Sequence, residues 1–379
     1  MSSTSSKRPE FTIDDSDSDR LRYWLGLARA PELGNRRLRL LLAQPGAPRS
    51  LFAEPLGVLR TLGLSETLIG YLRNPDWNQV DLDLAWLDRP GRSCLTLEDS
   101  SYPVLLREIS TPPPVLFVRG DPAALSLKQI AVVGSRNPSP LGEKIAFDLS
   151  SALSVAGLAV TSGLAVGIDA ASHRGVLSAR GVTLAVVGTG LDQVYPRRHR
   201  ALMEEIAGSG AVVSEFPLGT PPKAVNFPRR NRIIGGLSLG TLVVEATLRS
   251  GSLITARLAL EQGREVFAIP GSIRNPLARG CHALIKQGAK LVETVADILE
   301  ELVGFEAVPV ASPPHDESDD ALDARSRRLL KYVACEPTSV DTLVTATGYS
   351  AEQVASLLVF LELNGCVAST AAGCYCRII

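Results

Sequence analysis

Residues 130–142 read Ile-Ala-Val-Val-Gly-Ser-Arg-Asn-Pro-Ser-Pro-Leu-Gly, an apolar run that stops at a glycine and is followed by a helical stretch. That order, strand then loop then helix, recurs along the chain. Leu158-Ala-Val160 leads to Gly163, and residues 182–187 (Val-Thr-Leu-Ala-Val-Val) lead to Gly188. Further apolar runs follow at 211–213, 241–244 and 265–269. Strands that are apolar on both faces, with helices between them, predict a doubly wound parallel sheet. In such sheets ligands gather at the carboxyl ends of the strands, which is where these Gly- and Ser-bearing loops fall.

The chain around this core has 379 residues, enough for two or three domains with a large buried interior. It carries 39 Lys+Arg against 40 Asp+Glu, a net charge of −1, so any nucleic-acid contact must use a local patch rather than global charge. With 45% hydrophobic and 21% charged residues the body is not disordered. Six cysteines are too few for a disulfide scaffold and point to a reducing, cytoplasmic setting. Residues 1–10 have no apolar core, so no signal peptide is expected there. Between Asp148 and Asp169 lies an uncharged stretch of 20 residues, but three glycines, four serines and Thr161 interrupt it. It reads as a helix plus a buried strand and not as a membrane span.

Five segments are expected: a Ser/Asp-rich disordered tail (1–17), a small helical domain (18–80), the sheet domain (81–305), an acidic, Pro-rich linker (306–322) and a C-terminal module (323–379). In the helical domain, Pro31-Glu-Leu-Gly34 before Arg36-Arg-Leu-Arg39 is compatible with a helix-hairpin-helix turn. A plain helical bundle with a solvated basic face fits as well. The last module reads as three short helices, 326–334, 340–347 and 351–363, with Gly348 as the turn and a hairpin after Cys366, the order of a winged helix. Its third helix has two acids and no Lys or Arg, which disfavours direct reading of a duplex.

Several loops carry candidate chemistry. Gly134-Ser135-Arg136 lacks the G-x-G-x-x-G fingerprint, and no Walker A motif occurs, so neither NAD binding nor a P-loop ATPase is expected. The loop instead suits a phosphate held by helix-terminal amides and the Arg136 cation, or Arg136 is a surface salt-bridge partner. Residues 161–169 form a second such loop, with Gly163, Gly167 and Asp169, the last read as a helix N-cap or loop support rather than a catalytic carboxylate, which would need a partner. Ser250-Gly251-Ser252 forms a third. Together the three suggest a groove for an extended polyanion. The densest segment is Lys223-Ala-Val-Asn-Phe-Pro-Arg-Arg-Asn-Arg232, with four cations, one aromatic, two amide side chains and no acid. Cations follow phosphates and an exposed ring stacks on an unpaired base, the combination that suits single strands. Alternatively Phe227 plugs the core and the arginines are solvated. The four histidines form no metal-ligand spacing, and Cys366, Cys374 and Cys376 read as edge-strand thiols rather than a metal site. No nucleophile elbow appears, and no cofactor is expected.

From Ile130 to Leu302 the residues resemble the DNA-processing protein A (DprA, Smf) family. The resemblance is carried by Gly134-Ser-Arg136, residues 161–169, residues 226–238 (Asn-Phe-Pro-Arg-Arg-Asn-Arg-Ile-Ile-Gly-Gly-Leu-Ser), Val244-Glu-Ala246, residues 250–256 and Ile269-Pro-Gly271. Tyr102-Pro103 and residues 116–121 fit its upstream part. The resemblance implies an extended Rossmann-like domain flanked by a small SAM- or helix-hairpin-helix-like helical domain and a winged helix. It implies a non-enzymatic homodimer that protects single-stranded DNA in natural transformation and loads the RecA recombinase, with single-strand-binding protein as a further partner and no membrane association. The implied interface comprises Ser135, Arg136, Gly163, Gly167, Lys223, Asn226, Phe227, Arg229, Arg230, Asn231, Arg232, Ser250, Gly251 and Ser252. His282 departs from the asparagine expected near that position. Two rivals remain. One is a nucleotide phosphoribohydrolase using the glycines at 235–240 and Glu245. The other is a transcription regulator acting through the winged helix.

Overall fold

The computed structural model describes residues 15–302 and 322–378, apart from 32, 34–37, 39–40, 45, 335–336 and 371–372. All six apolar runs form strands: β3 (Gln129–Val133), β4 (Ala159–Ser162), β5 (Thr183–Val186), β6 (Ala211–Ser214), β7 (Gly240–Val243) and β8 (Glu265–Ala268). Within this set of six, neighbouring strands all pair in parallel, for instance Ile130 with Val160 on one side and Gly240 on the other. Their side chains are buried on both faces except at Glu265.

Three further strands enlarge the sheet beyond the expected parallel core. Two precede it, β1 (Arg92–Thr96) and β2 (Val115–Gly120), and both pair antiparallel: β1 with β2, and β2 with β6. The two-residue β9 (Lys290–Leu291) closes the other edge, giving the order β1-β2-β6-β5-β4-β3-β7-β8-β9. The chain winds outward from β3 through β4, β5 and β6, then returns to β7 on the other side of β3. The order reverses there, and that is the crevice where an open α/β sheet presents a site.

The expected boundary at 80/81 falls inside the helix Trp77–Leu87. Trp24 and Leu25, from the helix Asp15–Ala28, join Val80, Trp86, Leu87, Phe117, Ala185 and Val187 in one cluster beneath the sheet. The N-terminal helices therefore share a core with the sheet, while Leu27, Leu41, Leu59 and Leu68 form their own smaller cluster. Asp83 pins this junction. It is fully buried and receives Arg29 Nε and Nη2, each at 2.7 Å, and the Leu218 amide at 3.3 Å. Burial pushes its carboxyl above the usual carboxylate range, and Arg29 pulls it back.

Helices Ala324–Leu330, Val340–Thr347 and Ala351–Leu363 pack with a three-stranded sheet of β10 (Thr338–Ser339), β12 (Cys374–Arg377) and β11 (Val367–Ser369), a winged helix as expected. Gly348 takes a φ of 73° in the turn before the third helix, and Ser350 and Gln353 form a capping box at its start. No helix among the described residues is long and apolar enough to cross a membrane. The helix-hairpin-helix candidate, the linker and most of the expected N-terminal tail lie outside the described residues. The first helix begins at Asp15, inside the span assigned to that tail.

Candidate nucleic-acid interface

The loops after β3, β4 and β5 meet the first turn of the helix Asn226–Leu237 at the carboxyl edge of the sheet. Phe227 is the centre of this junction. Its ring is half-buried, with the Arg136 guanidinium carbon 5.8 Å from its centroid and the Tyr195 ring 5.5 Å away, tilted by 41°. Gly188, at the end of β5, lies against its edge. The ring is thus beside a cation at the sheet rim and not deep among aliphatic side chains. Lys223, Arg136 and Arg229 are exposed, and Arg229 lies 5.5 Å over the Phe216 ring.

Asn226, Arg230 and Arg232 of the 226–237 helix turn to partners within the protein, against the expectation that they line the interface, and Asn231 is half-buried. Arg230 is 4% exposed. It donates to the carbonyls of Gly163 (2.6 Å) and Val186 and to Asn231 Oδ1 (3.1 Å). Burial draws its pKa down to about 10, so the guanidinium remains charged at neutral pH. A Cβ at Gly163 would overlap that guanidinium, so the glycine leaves room for it. Asn226 is buried and donates from Nδ2 to the Gly188 carbonyl at 3.0 Å, fixing the first turn to the β5 loop. Arg232 pairs with Glu215, and both side chains are nearly covered. Of the four arginine and lysine residues expected here, Lys223 and Arg229 reach solvent, and Arg230 and Arg232 do not.

The expectation of three anion-accepting loops is also revised. The amide at the start of the helix Pro140–Val155 already faces a carboxylate of the protein's own. Glu245 Oε2 accepts from Ser139 N (2.8 Å), and Oε1 accepts from the Ser139 hydroxyl (2.6 Å). A Cβ at Gly142 would overlap the Glu245 carboxyl, so the glycine lets the carboxylate lie against the helix start. In the second loop Asp169 is not the N-cap; Gly167 is, with a φ of 80°. The Asp169 carboxylate reaches back to the amides of Gly163 (3.1 Å) and Ala165 (3.3 Å). Burial pushes its carboxyl up, and Arg230 with these amides holds it down. In the third, Ser250 caps the helix Gly251–Glu261, its hydroxyl 2.6 Å from that of the buried Ser252, while Gly251 is exposed. No hydrogen bond or ring contact among the described residues joins this loop to Phe227. Ser135 is half-buried, with its hydroxyl accepting from Asn137 N and its carbonyl from Ile168 N (3.1 Å). The amides of Asn137, Ser139, Gly142, Gly163, Ala165 and Ser252 are thus already engaged within the protein.

His173 lies under the same loops, fully buried. Thr183 gives its hydroxyl proton to the Val160 carbonyl at 2.9 Å, so the 2.7 Å contact from His173 Nδ1 to Thr183 Oγ1 is a donation by a neutral ring. Burial, with His199 and Arg230 adding to it, pushes its pKa down to about 3. Below the unfolded value of about 6.5 the unfolded chain takes up a proton that the native ring refuses, so stability falls with pH through this window. Between pH 7 and 5 the loss attributable to this residue is about 2 kcal/mol. Urea unfolding of wild type and His173→Gln across that range should show a flatter pH slope in the variant, and equal slopes would refute the assignment.

The segment missing from the sequence reading is Val194-Tyr-Pro-Arg-Arg-His-Arg200. Tyr195, Arg197, Arg198 and Arg200 are all exposed, and none of the three arginines has a salt bridge among the described residues. One aromatic and three arginines in seven residues is the same composition that singled out 223–232. His199 is buried, its Nδ1 3.0 Å from the Leu164 carbonyl oxygen. His282 sits with Nε2 3.0 Å from the Gly271 carbonyl oxygen, on the β8 side of the sheet.

Comparison with known proteins adds to this geometry. Residues 93–303 match the model of the family described as DNA recombination-mediator protein A, and residues 313–373 match that of the DprA winged helix domain. The chain is 46% identical to the protein Smf of Escherichia coli over 79% of this chain and 81% of that protein. It is 44% identical to the DNA processing protein DprA of Bacillus subtilis over 58% of this chain and 74% of that one. Among solved structures it resembles DNA processing protein A of Streptococcus pneumoniae with a TM-score of 0.66 at 36% identity, covering 74% of this chain and 98% of that one. The Helicobacter pylori protein of the same name, whose structure concerns its single-stranded DNA binding mode, gives 0.50 at 27% identity, over 55% and 93%.

Proposed function

The chain belongs to the DNA recombination-mediator protein A (DprA/Smf) family, and from that premise we propose that it binds single-stranded DNA at the rim formed by Arg136, Phe227, Lys223 and Arg229. The observation that carries this reading is the guanidinium of Arg136 beside the half-buried ring of Phe227. An unpaired base can stack on such a ring while its phosphates lie against the flanking cations, and a duplex keeps its base faces covered. The single-strand binding mode described for the Helicobacter pylori relative supports the same reading. In this role the protein acts as a cytoplasmic homodimer, without catalysis. It protects incoming strands during natural transformation and passes them to RecA, alongside single-strand-binding protein.

The hydrolase alternative relies on Glu245, but that carboxylate is 8% exposed and held by Ser139. A regulator reading duplex sites through the winged helix would have to use a third helix that presents Val359, Phe360 and Leu363 to solvent and carries no cation.

The test is a salt titration of oligo-dT against duplex of equal length. Wild type should prefer oligo-dT. Phe227→Ala should weaken that binding by about 1–3 kcal/mol. Arg136→Ala should flatten the slope of log K against log salt by about 0.7. Equal affinity for the two DNA forms, or a Phe227→Ala variant that binds as wild type does, would overturn the reading.

A further inference from the structure

Phe227 is not the most accessible ring at this rim. It is half-buried beside Arg136, Tyr195 and Gly188, whereas Tyr195 is 48% exposed. We propose that Tyr195 is a second stacking platform, so that the site takes two successive bases of a single strand, one on each ring. This rests on the single-strand reading above and extends it.

The geometry argues for two bases rather than one. The ring centroids are 5.5 Å apart and the planes are inclined by 41°, so one flat base cannot lie against both. Bases within a duplex strand are parallel and separated by about 3.4 Å, which would not match two tilted planes either. The pair suits bases splayed apart by an unstacked backbone, and it selects against a duplex by shape as well as by access. The loop is built to hold the platform in place. Asn226 Nδ2 binds the Gly188 carbonyl, Gly190 N donates to the Thr220 carbonyl at 3.0 Å, and Asp192 Oδ1 accepts from Gly219 N at 3.0 Å.

The cations that follow fit a strand leaving this ring. Arg197, Arg198 and Arg200 stand at and just before the start of the helix Arg200–Ser209, where positive charge opposes the helix dipole and the first turn holds no acidic residue. Stabilisation of that helix end therefore does not account for them. Phosphates beside Tyr195 would.

The experiment measures oligo-dT affinity by fluorescence anisotropy for wild type, Phe227→Ala, Tyr195→Ala, Tyr195→Phe, Tyr195→Leu and the Phe227→Ala/Tyr195→Ala double variant. A parallel series places one or two adjacent abasic positions in the oligonucleotide. The expected result is a loss of about 5- to 150-fold for Tyr195→Ala, the span that corresponds to one stacked base. Tyr195→Leu, which keeps bulk beside Phe227 without an aromatic face, should lose as much, and Tyr195→Phe should bind as wild type. The double variant should lose more than Phe227→Ala, and a second abasic position should weaken wild type but not Tyr195→Ala. If wild type binds oligo-dT no better than duplex, the single-strand reading itself has failed. If wild type prefers oligo-dT and Phe227→Ala weakens it while Tyr195→Ala or Tyr195→Leu does not, only the second platform is refuted. A double variant equal to Phe227→Ala alone also refutes it, because Tyr195 would then act only by positioning Phe227.

Discussion

Arg230→Ala should unfold about 3–5 kcal/mol more easily than wild type, the cost of removing one member of a buried charged arrangement. The side chain bridges two neighbouring strands by donating to the carbonyls after β4 and at the end of β5, and it is the electrostatic partner of the buried Asp169. Its removal leaves those acceptors unpaired and the carboxylate uncompensated in a desolvated setting. Arg230→Lys should recover only part of the loss, since a single ammonium cannot reproduce the planar fork that meets Gly163 and Val186 together. Chemical denaturation of the three proteins measures this. A variant that kept its stability but lost single-strand affinity would mean that the guanidinium faces the DNA after all.

The second large effect is expected at Asp83→Ala, about 3 kcal/mol by the same mechanism, because Arg29 would be left nearly covered without its carboxylate. Asp83→Asn should lose less, since its side-chain oxygen can still accept from the Leu218 amide. Hydrogen exchange should rise first in the helix Asp15–Ala28 and around Leu218, the two segments that Asp83 joins. Unchanged exchange there would show that the pair contributes nothing to the junction. The loop at 217–220 is bonded in turn to Gly190 and Asp192, so this pair also steadies the segment that carries Tyr195.

The parallel core was legible because six strands buried on both faces are written as uninterrupted apolar runs. The edges were less so. In β1 three of the five residues are only half-buried, and β9 is two residues long, too short for any periodicity to register. The binding rim was legible as composition but not as direction. Residues 223–232 were read as a set of charges, yet most of them lie on a helix, and helical spacing sorts them. Asn226, Arg230, Ile233, Ile234 and Leu237 fall at i, i+4, i+7, i+8 and i+11, one face, and all five are buried. Applied to that run, the periodicity that identifies apolar faces would have turned Arg230 and Asn226 inward and left Arg229 out. Arg232 follows another logic, since its partner Glu215 comes from the loop after β6. Glu245 could not have been placed at Ser139 from the chain alone, because 106 residues separate them and only the adjacency of β3 and β7 brings them together.

That internal carboxylate has a consequence for how the protein responds to its surroundings. Sheets of this kind elsewhere offer the same helix end to the phosphates of soluble nucleotides. Here that position is filled from within by the Glu245 carboxylate, which opposes a second anion at it. On the single-strand reading proposed above, added ATP should therefore not compete with DNA at this helix end.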